Sequence, residues 1–152
     1  MLKRRVSLFM NKDSFELSKY RLEKAKEDLH TAIENLENAH FSASVNRAYY
    51  CIFHTMRAIL ALDGLDSKKH SGVIAYFRQS YLKTNLFDKL YSEIIGLAFE
   101  MRNRNDYDDF VVIARDEVDK LIANAKLFLE AVEAHLENRW KCMETENEQD
   151  ER

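Results

Sequence analysis

The sequence predicts an all-α protein with a single domain, and three observations indicate this class. The 152 residues include no proline and only three glycines, so the turn signals of sandwiches and barrels are missing. Apolar residues recur at intervals of three and four along most of the chain, which is the period of an amphipathic helix. A chain of this length suits one domain with its own hydrophobic core.

Five segments carry the helical period. Only residues 38–40 separate the first two, which should therefore form an antiparallel hairpin. Asp13 or Ser14 is expected to cap the first helix, and Gly64 suits the left-handed position that follows the second. The expected helices are 14–38, 41–64, 70–82, 86–104 and 115–140. The expected core includes Ile52, Phe53, Met56, Leu97, Leu121 and Phe128.

Both ends of the chain are expected to lie outside the folded part. Residues 1–13 are basic and carry no helical apolar period, which predicts a flexible arm. Residues 142–152 are rich in acids and have nothing to bury, which predicts a disordered tail. The helical domain is therefore expected to span residues 14–141.

Composition argues against several classes of function. The formal charge is −3, and outside the acidic tail acids and bases nearly balance, so no basic stripe for duplex nucleic acid is evident. No apolar run approaches the ~18 residues that cross a bilayer, and the first residues lack the apolar core of a secretory signal. Cys51 and Cys142 show no disulfide spacing, and Cys51 with His54 would supply only two zinc ligands. We expect a cytoplasmic protein without membrane contact, metal or cofactor.

The segment 41–64 carries two different faces. At 100° per residue its apolar side chains fall within an arc of about 140°, which predicts a core face. A narrow polar stripe of about 100° lies on the other side. For His54 the simpler interpretation is a half-buried histidine that bonds across helices. The stripe provides the candidate ligand-binding residues Asn46, Arg47, Tyr50, His54 and Arg57.

The segment 101–110, MRNRNDYDDF, has two interpretations. In the first, its arginines satisfy carbonyl groups at a helix end and pair with the aspartates that follow. In the second, Arg102, Asn103 and Tyr107 form a site for a phosphate or a nucleobase, because a guanidinium suits phosphate and an aromatic ring suits stacking. The residues alone leave both interpretations open.

Three blocks of the sequence together resemble the HEPN family of small helical proteins. They are NRAYYCIFHTMRAIL at 46–60, KHSGVIAYF at 69–77 and FEMRNRNDYDDF at 99–110. The likeness is greatest to the stand-alone prokaryotic branch that is encoded beside minimal nucleotidyltransferases. It implies an up-and-down bundle of four main helices plus a shorter one. It also implies a homodimer in which polar residues of both chains line a shared cleft.

The resemblance implies a chemistry, with one departure. Many HEPN proteins are metal-independent ribonucleases that use an arginine, a polar residue after it, and a histidine about four to six residues beyond the arginine. Arg102 and Asn103 match the first two, but the histidine is absent and Tyr107 stands in that interval. An unperturbed tyrosine, with a pKa of about 10, is a poor general base at neutral pH.

Two functions of different class follow as alternatives. The first is a binding module that holds a nucleotide or RNA group in a dimer cleft and acts with a nucleotidyltransferase-type partner, as in two-gene toxin and antitoxin systems. The second is a ribonuclease in which His54 or His70 replaces the missing histidine, or in which Arg102 and a tyrosine suffice. The cleft of the first alternative is expected to contain Arg47, Tyr50, His54, Arg102 and Tyr107.

Overall fold

A computed structural model describes the backbone of residues 2–152 and the side chains of residues 12–152. Over these residues it contains helices and no strand, which confirms the all-α prediction. Four helices are long and one is short. They are α1 (Leu2–Glu37), α2 (Phe41–Leu62), α3 (His70–Phe77) with a π-helical turn after it (Arg78–Leu82), α4 (Leu90–Tyr107) and α5 (Arg115–Asp150).

Helix α2 is the centre of the bundle, as its apolar face predicts. It packs against α1, α3, α4 and α5. Five of the six expected core residues are buried. The two largest, Phe53 and Phe128, lie on α2 and α5, which pack against each other. Burying a side chain of this kind contributes about 1.5 to 3 kcal/mol. The buried five are Ile52, Phe53, Met56, Leu121 and Phe128.

The prediction for Leu97 is wrong, because its side chain is 52% exposed. The core face of α4 consists of Ile94, Ile95 and Ala98. At 100° per residue Leu97 lies about 100° from the centre of that face. It instead lies within an arc of about 40° with Leu90 and Met101. Helix α4 therefore carries a second apolar stripe beside its core face.

Several helix ends differ from the prediction. Helix α1 begins at Leu2, so neither Asp13 nor Ser14 caps it. The side chains of residues 1–11, most of the expected basic arm, lie outside the described residues. Helix α5 continues to Asp150, where a disordered tail was expected from residue 142. One contact between α1 and this extension is an ion pair in which Nζ of Lys19 lies 3.8 Å from Oε1 of Glu144.

The turns that join the helices place the site. Gly64 adopts φ +67° after α2, as predicted, and the amide of Leu65 donates to the carbonyl of Leu60 across the turn. The hairpin between α1 and α2 uses the same arrangement with Ala39 at φ 59°. This tight turn sets the two helices side by side. None of the helices, over the described residues, combines the length and apolar character needed to cross a bilayer.

Candidate functional site

All three of the sequence blocks meet at the side chain of Tyr49, which belongs to the first of them. The Tyr49 hydroxyl lies 2.8 Å from Nδ1 of His70, the first residue of α3. The guanidinium of Arg102 lies over the Tyr49 ring, with Cζ 5.3 Å from the centroid, and 5.9 Å from the centroid of Tyr107. Such geometry allows a cation–π attraction. We call Tyr49, His70, Arg102 and Tyr107 the Arg102 cluster.

Arg102 points into the protein but is not fully satisfied there. Its side chain is 16% exposed, and Nε lies 3.0 Å from Oδ2 of Asp106. The Nε–H is nevertheless not directed at that oxygen, so this buried donor has no hydrogen-bond acceptor among the described residues. An unsatisfied buried donor costs about 1 to 3 kcal/mol, which a bound acceptor would recover. Tyr107 beside it is 72% exposed and is open to stacking.

Burial shifts the pKa of Tyr49 and of His70 in the Arg102 cluster. Burial raises the pKa of Tyr49 to about 12, although the Arg102 charge acts in the opposite direction. Burial, followed by the charges of Arg102 and Arg57, lowers the pKa of His70. At neutral pH, Tyr49 is therefore protonated and His70 is neutral. Arg102 supplies the positive charge of the cluster.

A second group of polar side chains joins α1 to α2, and we call it the Asp28 cluster. Its members are Asp28, Arg47 and His54. Nη1 of Arg47 lies 2.8 Å from Oδ1 of Asp28, and Nε2 of His54 lies 3.8 Å from Oδ2. Arg47 is also held by Asn46, whose Oδ1 accepts from Nη2 at 2.7 Å. The cluster therefore fixes the position of two predicted ligand-binding residues.

The Asp28 cluster is largely desolvated. Burial raises the pKa of Asp28 even though Arg47 opposes this shift. Burial also lowers the pKa of His54 to about 4, and the charges of Lys24, Arg57, Arg47 and Arg21 add to this effect. His54 is thus neutral at pH 7. Its Nδ1 is buried without a hydrogen-bond partner in the described part of the chain.

Tyr50 connects the two clusters. Its ring centroid lies 5.0 Å from Cζ of Arg47, 5.8 Å from the His54 ring and 5.9 Å from the His70 ring. Phe53 stacks on His70 at 4.1 Å and forms the floor between them. The rings of Tyr50 and Phe53 on α2 and of His70 on α3 therefore form one continuous aromatic surface between the two clusters.

The remaining predicted residues lie at the edge of this arrangement. Arg57 donates to Asp66 at 3.1 Å, and Arg21 donates to the same oxygen. Asn46 and Arg47 line an open cleft together with Asn105 and Asp106. Asn103 is half-buried and takes no part in either cluster.

The structure divides the segment 101–110 between its two interpretations. Arg102 pairs with Asp106, an aspartate that follows it, at 3.0 Å, as the structural interpretation expects. Arg104 pairs instead with Glu117 of α5, at 2.8 Å on the exposed surface. Asn105 donates to the carbonyl of Ser42 at 3.1 Å and holds the end of α4 near the start of α2. Arg102 alone turns inward between two tyrosine rings. The binding interpretation therefore rests on Arg102 and Tyr107.

Sequence reasoning missed the contribution of helix α1. Asp28 of this helix is buried, as are Ser18 and Arg21. At 100° per residue these three lie within about 80° of arc, together with the core residues Ala25 and Ala32. Polar residues inside an apolar arc were the available signal. Tyr49 is buried as well, and its hydroxyl lies within hydrogen-bond distance of Nδ1 of His70.

The arrangement is suited to binding an anion beside an aromatic group. It combines guanidinium donors with exposed and half-buried rings, the groups that hold phosphate and bases. Within residues 12–152, no three His, Cys, Asp or Glu side chains converge as metal ligands. Burial raises the pKa of Cys51 to about 12, so this thiol is not a nucleophile.

Comparison with known proteins identifies relatives over most of the chain. A model of the HEPN domain matches residues 18–135. A UPF0332 protein of Thermotoga maritima is 33% identical over 81% of this chain and 93% of that relative. Two proteins of Methanocaldococcus jannaschii bear the names "Putative toxin MJ0142" and "Putative toxin MJ0605". The first is 35% identical over 76% of this chain and 78% of the relative. The second is 31% identical over 86% and 97%.

Proposed function

This chain belongs to the HEPN domain family, and on that basis we propose that it binds a nucleotide or an RNA phosphate at the Arg102 cluster. The observation that carries the proposal is the buried Nε of Arg102, which has no hydrogen-bond acceptor among the described residues although the Asp106 carboxylate lies 3.0 Å away, and which stands beside an exposed tyrosine ring. A phosphate oxygen supplies the acceptor, and the Tyr107 ring supplies a surface on which a base stacks.

Replacing Arg102 with alanine is expected to weaken binding of a short single-stranded RNA roughly tenfold to a hundredfold, because charge-assisted hydrogen bonds of about 1.5 to 3 kcal/mol are lost. Arg102→Lys should restore only part of the affinity, since lysine keeps the charge but loses the planar fork. Binding is measured by fluorescence anisotropy with a labelled oligonucleotide, and folding by the melting temperature.

Arg104→Ala is the matched control for this experiment. Arg104 lies two residues after Arg102 on α4 and carries the same charge. It is paired with Glu117 on the surface. We expect its removal to leave binding within about twofold of wild type, as usual for a screened surface charge. If Arg102→Ala melts far lower while binding per folded molecule is unchanged, Arg102 has only a structural role.

A second candidate function, RNA cleavage, is supported by the hydrogen bond between Tyr49 and His70. In the tautomer in which Nδ1–H donates to the Tyr49 oxygen, Nε2 of His70 is free to accept a proton. His70 would then take the proton of a ribose 2′-hydroxyl, and Arg102 would stabilise charge that develops on the phosphate. This arrangement would replace the histidine that is absent after Arg102.

Cleavage of RNA by the purified protein, lost in both His70→Gln and Arg102→Ala, is the result expected for an enzyme. Each change should reduce the rate about 100-fold or more, the usual contribution of general base or oxyanion stabilisation. His54→Gln is the control, since His54 lies in the other cluster. Intact RNA after prolonged incubation with wild type would contradict cleavage, and binding would remain as the proposed function.

We also propose a homodimer that uses the second apolar stripe of α4. Leu97 and Met101 line a groove of about 260 Å³ between α4 and α5. The rim carries the acids Glu100 and Glu117 with the bases Arg104 and Lys120. Equal numbers of both signs on one patch suit a self-complementary two-fold contact. The partner that we propose for the dimer is a nucleotidyltransferase-type protein, in keeping with the family resemblance and the toxin names of two relatives.

At micromolar concentration, light scattering is expected to give twice the chain mass of 18.0 kDa. Leu97→Glu should give the monomer mass, because a charge buried in an apolar contact is costly. Leu17→Glu is the control, since Leu17 is an exposed leucine on α1. A monomer in the wild type would contradict the shared cleft, though not phosphate binding by one chain.

A further inference from the structure

A pocket lined by two cationic side chains lies between α3 and α4. None of its lining residues belongs to the Arg102 cluster or the Asp28 cluster. Its volume is about 360 Å³. Arg78 and Lys83 line it, together with the hydroxyl of Ser71 and the amide of Gln79. None of the lining residues is acidic. The pocket therefore carries two positive charges without a neutralising carboxylate. We call it the α3/α4 pocket.

Arg78 differs from most of the arginines in the described part of the chain. Six of them lie within 4.0 Å of a carboxylate, but Arg78 makes no such pair. Its Nη2 donates weakly to the carbonyl of Ser92 at 3.4 Å. Its Nε is buried and has no hydrogen-bond partner among the side chains and backbone that the structure describes. One edge of the guanidinium is thus desolvated and unoccupied, which is the geometry that receives a phosphate oxygen.

The two walls of the pocket carry a π-helical turn at Arg78 and a glycine inside α4. Arg78 is the first residue of the π-helical turn. The amide of Lys83, which follows the turn, donates to the Arg78 carbonyl at 2.9 Å. Such turns occur frequently at functional sites. On the opposite wall, Gly96 lies inside α4, where alanine would favour the helix. A Cβ at Gly96 would lie 3.5 Å from Nη2 of Arg78, an ordinary contact, so packing within the chain does not require glycine. Its absent side chain leaves room in the pocket.

The other wall of the pocket is apolar. Ile74, Ile95 and the ring of Phe99 line it. A ligand with a phosphate at Arg78 and a small planar ring against Phe99 would satisfy both parts. We propose that the α3/α4 pocket binds a phosphorylated pyrimidine nucleotide, with Arg78 gripping the phosphate and Phe99 contacting the base. The source is either a free nucleotide or a nucleotide within single-stranded RNA, since both present the same groups.

The test follows the backbone amide of Gly96 by two-dimensional NMR during titration with uridine 5′-monophosphate, and in parallel with uridine. We expect a saturable shift with the monophosphate and little shift with the nucleoside. Arg78→Gln should weaken the apparent affinity at least about tenfold. Lys126→Gln, which removes an exposed lysine of α5, should leave it unchanged. A short oligouridylate titrated in the same way shows whether RNA or the free nucleotide binds more tightly.

Two further variants keep the test independent of folding and of the Arg102 cluster. Gly96→Ala favours the helix, and by calorimetry it should bind the monophosphate several-fold more weakly while its melting temperature does not fall. Arg102→Gln should leave the titration at this pocket unchanged, so failure at one site does not imply failure at the other. Absence of a Gly96 shift with the monophosphate, or the same affinity in Arg78→Gln, overturns the proposal.

Discussion

Replacing Phe53 with alanine is expected to lower the free energy of unfolding by about 3 to 5 kcal/mol, the range for truncation of a buried phenylalanine. Phe53 is 5% exposed. Its ring stacks on His70 at 4.1 Å and lies 6.1 Å from Tyr49 and 6.0 Å from Tyr50. Removing it leaves a cavity and deprives three other rings of their contact. Urea or guanidinium unfolding, followed by circular dichroism, measures the loss.

Two variants show whether the loss comes from burial. Phe53→Leu keeps most of the apolar volume and should cost clearly less than alanine. Tyr76→Ala removes an aromatic residue of α3 that is 41% exposed, and should change stability by about 0.5 kcal/mol, far less than Phe53→Ala. A loss below about 1 kcal/mol for Phe53→Ala would contradict the burial of this ring and the position of α2 at the centre of the bundle.

The helices were predictable because their signal is local. The apolar arc of α2 includes Ile52, Phe53 and Met56, and all three are buried. Helix α4 shows the limit of the same method. Its apolar residues form two adjacent stripes, and only packing against α2 decides that Ile94 faces the core while Leu97 does not. Periodicity ranks faces by apolar content and does not indicate which partner covers each one.

The residues of the candidate site were named from the sequence, but their contacts were not. The polar stripe of α2 and the segment around Arg102 were both identified from the sequence. Nothing local indicates that Tyr49 would lie between Arg102 and His70, since these residues are far apart in the chain and meet only through the packing of α2, α3 and α4. The absent histidine after Arg102 is therefore informative only together with the fold, which brings His70 to the same tyrosine.

Acidification is expected to destabilise the protein through His54. Its side chain is 14% exposed, and its pKa in the folded state is lowered to about 4. As the pH falls below 6.5, the unfolded chain binds a proton that folded His54 does not accept, so stability declines. The decline from this group ends near pH 4, where the folded state also binds the proton. Its full extent is about 3 kcal/mol, since each pKa unit corresponds to 1.36 kcal/mol.

His54→Gln is expected to remove this part of the pH dependence. Between pH 7 and pH 4.5 the variant should lose about 2 to 3 kcal/mol less stability than wild type, measured by denaturant unfolding at each pH. His70 and His135, whose pKa values are also lowered, remain in both proteins, so their contributions cancel in the comparison. The raised pKa of Asp28 acts in the opposite direction, and it too is present in both. Stability profiles that run parallel, or an NMR titration that places the pKa of folded His54 near 6.5, would contradict a desolvated histidine between α1 and α2.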